Sequence, residues 1–206
     1  MTTRPAQVPA MAPPGPGLIG PNAVLQLIPV LDAALGRDAR TALFARARTA
    51  PPPQDAGMLP EADCAALHDA LRHARPDAAP ELLARAGRAT ADYVLAHRIP
   101  AAARAVLRAL PASPGRRFLV RAIARHAWTF AGSGRFRIAA WRPLAVEIAD
   151  NPLARTPGAA PVCHWHVAVF ARLFGALTGP VAVSETACCA TGAPACRFLI
   201  VPEDKP

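Results

Sequence analysis

The chain has 206 residues, enough for one domain with a proper core and a helical extension, and a formal net charge of +9. Of its 23 basic residues only Lys205 is a lysine. In a chain saturated with Ala and Pro, that is the surface written by a GC-biased genome, and nucleic acid is discounted as a partner. No stretch reaches the roughly 18 uninterrupted apolar residues of a membrane span, which excludes a transmembrane segment. The N-terminus lacks the basic-then-apolar order of a signal peptide, and the five cysteines are an odd number, so a reducing, cytoplasmic location is expected.

Residues 1–20 are rich in Pro and Gly without periodicity and read as a disordered tail. The tail holds a formal Gly-x-Gly-x-x-Gly match at Gly15, Gly17 and Gly20, but Ala-Pro-Pro precedes it where a dinucleotide fingerprint needs a strand. No nicotinamide site is evident. Residues 21–112 read as a helical region. Val24, Leu25, Leu27, Ile28, Leu31 and Leu35 recur at helical spacing, with Pro29 expected to kink or divide the helix and Gly36 to end it. Further helices are expected over 38–48, 61–75, 80–97 and 100–110. Ser113-Pro114 is a good start for another, running to about Phe130.

The pattern then changes. Residues 135–141 alternate as a strand, 144–149 make a second, and 150–161 a loop. Residues 162–177 carry too many apolar positions for a thin stripe and predict a buried helix. Residues 181–188 and 196–201 read as the last two strands, joined by a turn. Helices followed by strand–strand–helix–strand–strand predict an α+β fold, an antiparallel sheet covered by helices.

Chemistry concentrates in the run Ser184 to Phe198, which places Glu185, Cys188 and Cys196 within twelve positions, with Cys163 upstream at the start of the buried helix. Three thiols and a carboxylate make a four-coordinate soft-metal set, with Zn2+ the first candidate. A hairpin would bring Cys188 and Cys196 together, and Cys163 would pin the helix to it. A shell filled by protein leaves no place for an activated water, so such a site is structural. Arg197, adjacent in sequence, is expected to help neutralise the cluster. Cys189 on the opposite side of the strand, and Cys64 without a ligand-spaced partner, read as packing residues. The alternative for all of them is that free Cys packs as a small hydrophobe.

Glu-x-x-Cys followed by Cys-x-Phe resembles the terminal signature of the 4-vinyl-reductase-like domain family, over roughly 113–202. The resemblance implies a ligand-binding domain in which Cys163, Glu185, Cys188 and Cys196 hold zinc. Ile19 to Gln26 is similar to the branch that serves bacteriochlorophyll synthesis, which implies a magnesium tetrapyrrole (protochlorophyllide or Mg-porphyrin type) and the enzymes of that pathway as partners.

Candidate ligand contacts are His126 and His166 for the magnesium, with His166, at i+3 from Cys163, also an alternative zinc ligand, and Trp128, Trp141 and Phe170 for a flat apolar pocket. The ordinary reading of these histidines and aromatics is as core or cap residues. The Arg117, Arg121, Arg125 stripe is either a solvated face or a docking surface, with Arg121 and Arg125 the candidates to pair with a propionate. A homodimer is allowed. The expected function is an accessory or carrier of the tetrapyrrole. The alternatives are a divinyl (proto)chlorophyllide 8-vinyl (4-vinyl) reductase, which needs a hydride source that side chains do not supply, and a small-molecule-sensing regulatory domain, weakened because no ATPase or helix-turn-helix segment is attached.

Overall fold

The computed structural model describes residues 17–203. The expected tail therefore lies outside the described residues through position 16. Its last four residues are built into the fold, contrary to the expectation. Strand β1 (Leu18–Ile19) pairs antiparallel with β2 (Leu59–Pro60), and the Gly20 N–H donates to the Thr129 carbonyl at 2.9 Å. Ile19 is apolar and fully buried, which fixes this end of the chain.

Pro29 divides the first helical stretch. Helix α1 (Asn22–Leu25) stops, Gln26 intervenes, and α2 (Leu27–Leu35) begins, so that Pro29 falls in the first turn of α2. Donors in a first turn have no intrahelical acceptor, and the missing N–H costs nothing there. Gly36, at φ 84°, ends α2, and α3 (Arg37–Ala47) closes on Arg48 in the left-handed region. Helices α4 (Glu61–Ala74), α5 (Ala79–His97) and α6 (Ala101–Ala109) follow. The helix expected to reach residue 130 ends early: α7 (Ala112–Arg125) stops at His126 and a short α8 (Trp128–Ala131) restarts.

Strands β3 (Arg135–Trp141), β4 (Leu144–Ala149), β5 (Val181–Ala187) and β6 (Ala195–Pro202) form an antiparallel sheet in the order β3-β4-β6-β5. Helix α9 (His164–Thr178) sits between β4 and β5 in the chain and packs on the sheet, with Phe170 edge-on to Phe198 at 5.3 Å. The opposite side of the sheet carries a cross-strand set. Glu147 of β4 faces Arg137 and Arg197 on its two neighbours, and Arg197 Nη1 lies 2.8 Å from its carboxylate. A single apolar core runs from the N-terminal helices through α9 to the sheet.

Helices α5 and α9 cross closely because Gly87 has no side chain. A Cβ there would collide with the Trp165 carbonyl oxygen and lie 2.9 Å from the Ala168 Cβ. Both neighbours are fixed within a helix, so neither can give way. Gly87→Val is expected to cost about 3 kcal/mol or more by overpacking, read as a lowered midpoint in urea unfolding. An unchanged midpoint would show that the crossing is loose.

At the start of α4, buried Glu61 accepts from the Ser133 N–H (2.8 Å) and Oγ (2.7 Å) and pairs with Arg155 at 2.9 Å. Burial alone would raise its carboxyl. These bonds outweigh burial and hold it below the ordinary range. The contact ties the helical region to the turn that opens β3.

Candidate metal centre

Four segments meet at one end of the sheet. Helix α9 begins two residues later than the sequence pattern predicts, so that Cys163 is its N-cap. Its carbonyl takes the first helical bond from Val167, and its own N–H donates to Glu185 Oε2 at 2.9 Å. Glu185 lies near the end of β5. In a regular strand residues three apart point to opposite faces. The register is irregular between Glu185 and Ala187, and the chain then enters a 3-10 turn over Cys189–Thr191. This bend turns Cys188 to the same side as Glu185. Cys196 comes from the start of β6, opposite Ile148 on the core face.

Cys163, Cys188 and Cys196 are buried and Glu185 partly so, and one ligand atom from each lies within 4.8 Å of the other three. Cys163 Sγ is 3.4 Å from Cys196 Sγ, which is 4.0 Å from Cys188 Sγ. Glu185 Oε1 is buried without a hydrogen-bond partner. A buried carboxylate oxygen left open beside three thiols is costly unless something positive meets it. The four residues can hold one metal ion.

The protonation pattern carries the same message. Hydrogen bonds from Cys163 and Cys196 drive the Cys188 thiol far down, placing the first negative charge there. The bonds to Cys188 and Cys196, then burial, push Cys163 well up. For Cys196 the bond with Cys163 pulls down, but the Cys188 thiolate and burial outweigh it. Burial, then Cys188, lifts Glu185 to about 7. Burial and the mutual thiol bonds thus work against ionising all four groups together. A divalent cation would let all four ligate as anions, since its charge replaces the shared protons.

Arg197 does not serve the cluster as expected. It follows Cys196 on a strand, therefore points to the other face, and is taken by Glu147. The donors that do serve it are neutral. Asn151 Nδ2 reaches Cys163 Sγ at 3.3 Å and Cys196 Sγ at 3.5 Å, and the Cys189 N–H reaches Cys196 Sγ at 3.3 Å. Asn151 is fully buried and holds itself in place by accepting from the Leu153 N–H. Sequence reasoning passed over it. The only signal was an Asn-Pro pair closing a strand, which marks a turn and says nothing about sulfur. Cys189 contributes its backbone rather than its half-buried thiol, and Cys64 is a core residue whose thiol burial raises to about 12.

The candidate ligand residues separate into two places. His166 and Phe170 are sealed in the core, His166 with Nε2 3.2 Å from the Phe130 carbonyl and its basicity lowered by burial to about 4. His166 shares the α9 face of Cys163 without joining the donor set. Arg121, Arg125 and His126 are exposed on or just beyond α7, and Trp128 is half-buried. Trp141, at the end of β3, lies under two guanidinium groups, Arg121 at 4.7 Å and Arg117 at 5.8 Å from its ring centre. The structure therefore joins Trp141 to the arginine stripe and leaves His166 and Phe170 on the other side of the packing. Gly20, the last glycine of the N-terminal motif, spends its N–H on Thr129 rather than on a phosphate.

Residues 144–202, from β4 to β6, match the V4R domain model. Over 189 residues the chain is 56% identical to the bacteriochlorophyll synthase 23 kDa chain of Cereibacter sphaeroides, covering 91% of this chain and 92% of that one. It is 50% identical to the protein of the same name from Rhodobacter capsulatus, covering 91% and 88%. Among solved structures, an Fe(II) unliganded H-NOX protein from K. algicida shares the fold with a TM-score of 0.59 at 8% identity, covering 91% of this chain and 98% of that one. The phenol-responsive sensory domain of the transcription activator PoxR does so at 0.52 and 19%, covering 82% and 90%. At such identities these two likenesses speak for the α+β architecture alone. The identity across nine-tenths of both curated relatives, together with the V4R match over the strands and helix that carry the cysteine cluster, places the chain in the bacteriochlorophyll synthase 23 kDa chain family.

Proposed function

We propose that the centre holds one Zn2+ as a structural clasp, and that the chain serves bacteriochlorophyll synthesis as an accessory that binds a magnesium tetrapyrrole and presents it to enzymes of the pathway. The pathway follows from the names of the two relatives. Zinc suits the donor set: a tetrahedron with Zn–S of about 2.3 Å has edges near 3.8 Å, and the observed sulfur separations of 3.4 and 4.0 Å straddle that value.

The observation that carries the accessory reading is the closure of the centre. Four protein donors converge on it, three of them buried, which leaves no ligand position for a substrate. A zinc in that shell fixes α9 to the β5–β6 hairpin and takes no part in redox chemistry. The ligand face we assign is the flat indole of Trp141 with Arg117, Arg121 and Arg125 beside it, an aromatic plane next to carboxylate-pairing cations.

The test is an anaerobic titration with divinyl protochlorophyllide, followed by addition of NADPH or reduced ferredoxin. A spectral shift on binding without turnover is the expected result. Trp141→Ala combined with Arg121→Ala should weaken binding at least about tenfold. Conversion to the monovinyl product would replace this reading by the vinyl reductase. Absence of any spectral shift would end the tetrapyrrole assignment.

A further inference from the structure

The largest charge asymmetry of the chain is confined to one stretch. From Tyr93 to Val146 there is no Asp or Glu, against ten Arg. Two of the ten are committed on the sheet, Arg135 to Asp150 and Arg137 to Glu147. Among the described residues none of Arg104, Arg108, Arg117, Arg121, Arg125 and Arg142 has a carboxylate within 4.0 Å. Arg108 instead anchors α6 to the Ala176 carbonyl of α9 at 3.2 Å.

The apolar side of the same region is equally unusual. The three large hydrophobic side chains exposed among the described residues are Val106 (57%), Leu110 (37%) and Phe118 (58%), and all belong to the α6–α7 hairpin. Leu110 turns onto α7: a Cβ on Gly115 would stand 3.7 Å from its Cβ. Val106 lies one helical turn before Leu110, and Phe118 one turn beyond Gly115, so the three follow one another along the hairpin. Leu107 and Leu119 point the other way and are buried. Each helix thus has one apolar side in the core and a second, smaller one in solvent, edged by arginine.

We infer that the α6–α7 hairpin is a docking face for an anionic lipid bilayer, with Phe118, Leu110 and Val106 entering the boundary of the acyl chains and the arginines resting on the head groups. Three neighbouring apolar side chains flanked by cations without a carboxylate partner match a plane that is apolar in its middle and negative at its surface. A second copy of the chain would set the same arginines against each other. Duplex nucleic acid would neutralise the arginines but offer nothing to the three apolar side chains. A cavity of about 280 Å³ is lined by Leu35, Ala42, Leu43 and Arg75 with their neighbours and by no residue of α6 or α7, so the face has no share in it. No helix among the described residues is long and apolar enough to cross a membrane, so the contact proposed is peripheral.

The experiment is co-sedimentation of the whole chain with phosphatidylcholine vesicles, with and without phosphatidylglycerol. Binding is expected only with the anionic lipid, and should fall at least tenfold near 1 M salt, where the screening length shrinks to about 3 Å. Phe118→Ser with Leu110→Ser should reduce partitioning by about tenfold or more. Arg104→Ser with Arg108→Ser should reduce it by about thirtyfold. Arg104 and Arg108 lie on α6, outside the Trp141–Arg121 pair, so tetrapyrrole binding should survive in that variant, and circular dichroism checks that both variants fold.

Equal binding to neutral vesicles, or none to anionic ones, would overturn the proposal. So would binding indifferent to Phe118→Ser and Leu110→Ser. Light scattering that shows a dimer broken by Phe118→Ser, without vesicle binding, would assign the face to a second copy. Duplex DNA binding untouched by that change would make it a phosphate-binding surface.

Discussion

Cys188→Ala is expected to empty the metal centre. Metal analysis of the wild type should give one zinc per chain, and of the variant none. Removing this thiol takes away one of the four donors, the one whose acidity its thiol neighbours raise, and leaves Cys163, Cys196 and Glu185 around a gap. Breaking a buried charged set costs about 3–5 kcal/mol. At about 2–4 °C per kcal/mol for a chain of this size, the melting temperature should drop by roughly 10 °C.

Cys163→Ala and Cys196→Ala should behave alike. Cys189→Ala should keep the metal, because Cys189 serves through its backbone N–H. Asn151→Ala removes both side-chain N–H bonds to sulfur and should weaken zinc affinity by about 10–100-fold. A wild-type chain that purifies folded and free of metal after zinc supplementation would end the zinc assignment. A Cys188→Ala chain that retains one zinc would remove Cys188 from the ligand set.

The second large effect is a loss of stability in acid traced to one residue. His68 on α4 is buried, with Nε2 3.0 Å from the Ala23 carbonyl, and lies edge-on to Trp165. Burial, reinforced by Arg72, lowers its pKa from 6.5 to about 3. Its folded pKa is below its unfolded one, so between these values the unfolded chain binds more protons. Stability from this site is complete above pH 6.5, declines as pH falls toward about 3, and is then lost. The slope approaches 1.4 kcal/mol per pH unit for one proton, several kcal/mol across the window.

His68→Gln keeps a donor for the Ala23 carbonyl and carries no titrating group. Unfolding free energies of wild type and variant, measured by urea across that range, should differ by this slope and converge in shape above pH 7. Parallel curves would show that His68 is not the group responsible. Comparing the two proteins cancels the contribution of the thiols and Glu185, which both share.

Much of the site was legible before any coordinates. Cys163, Glu185, Cys188 and Cys196 are chemically unmistakable in a chain with five cysteines, and the structure brings those four together. Asn151 was not legible, because its role depends on where a turn after β4 comes to rest against α9. Arg197 misled for a related reason: adjacency in sequence means opposite faces in a strand. The candidate ligand residues scattered because aromatics and histidines at the helix–sheet junction serve core packing as readily as binding. Which of the two a given residue does is settled by how α9 meets the sheet. Phe170 and His166 ended inside, Trp141 at the margin.

Periodicity and breaker residues alone determined the α+β class, most of the helices and all four strands of the sheet. These are local properties: side-chain parity in a strand, apolar spacing in a helix, and the backbone demands of Pro and Gly act over a few residues. The pairing of β1 with β2, the restart at α8, the bend after Glu185 and the exposed hairpin of α6 and α7 were decided by tertiary structure. Each depends on contacts between segments far apart in the chain, which carry no local signature. The bend matters most, since Glu185 and Cys188 converge only because β5 breaks its alternation between them.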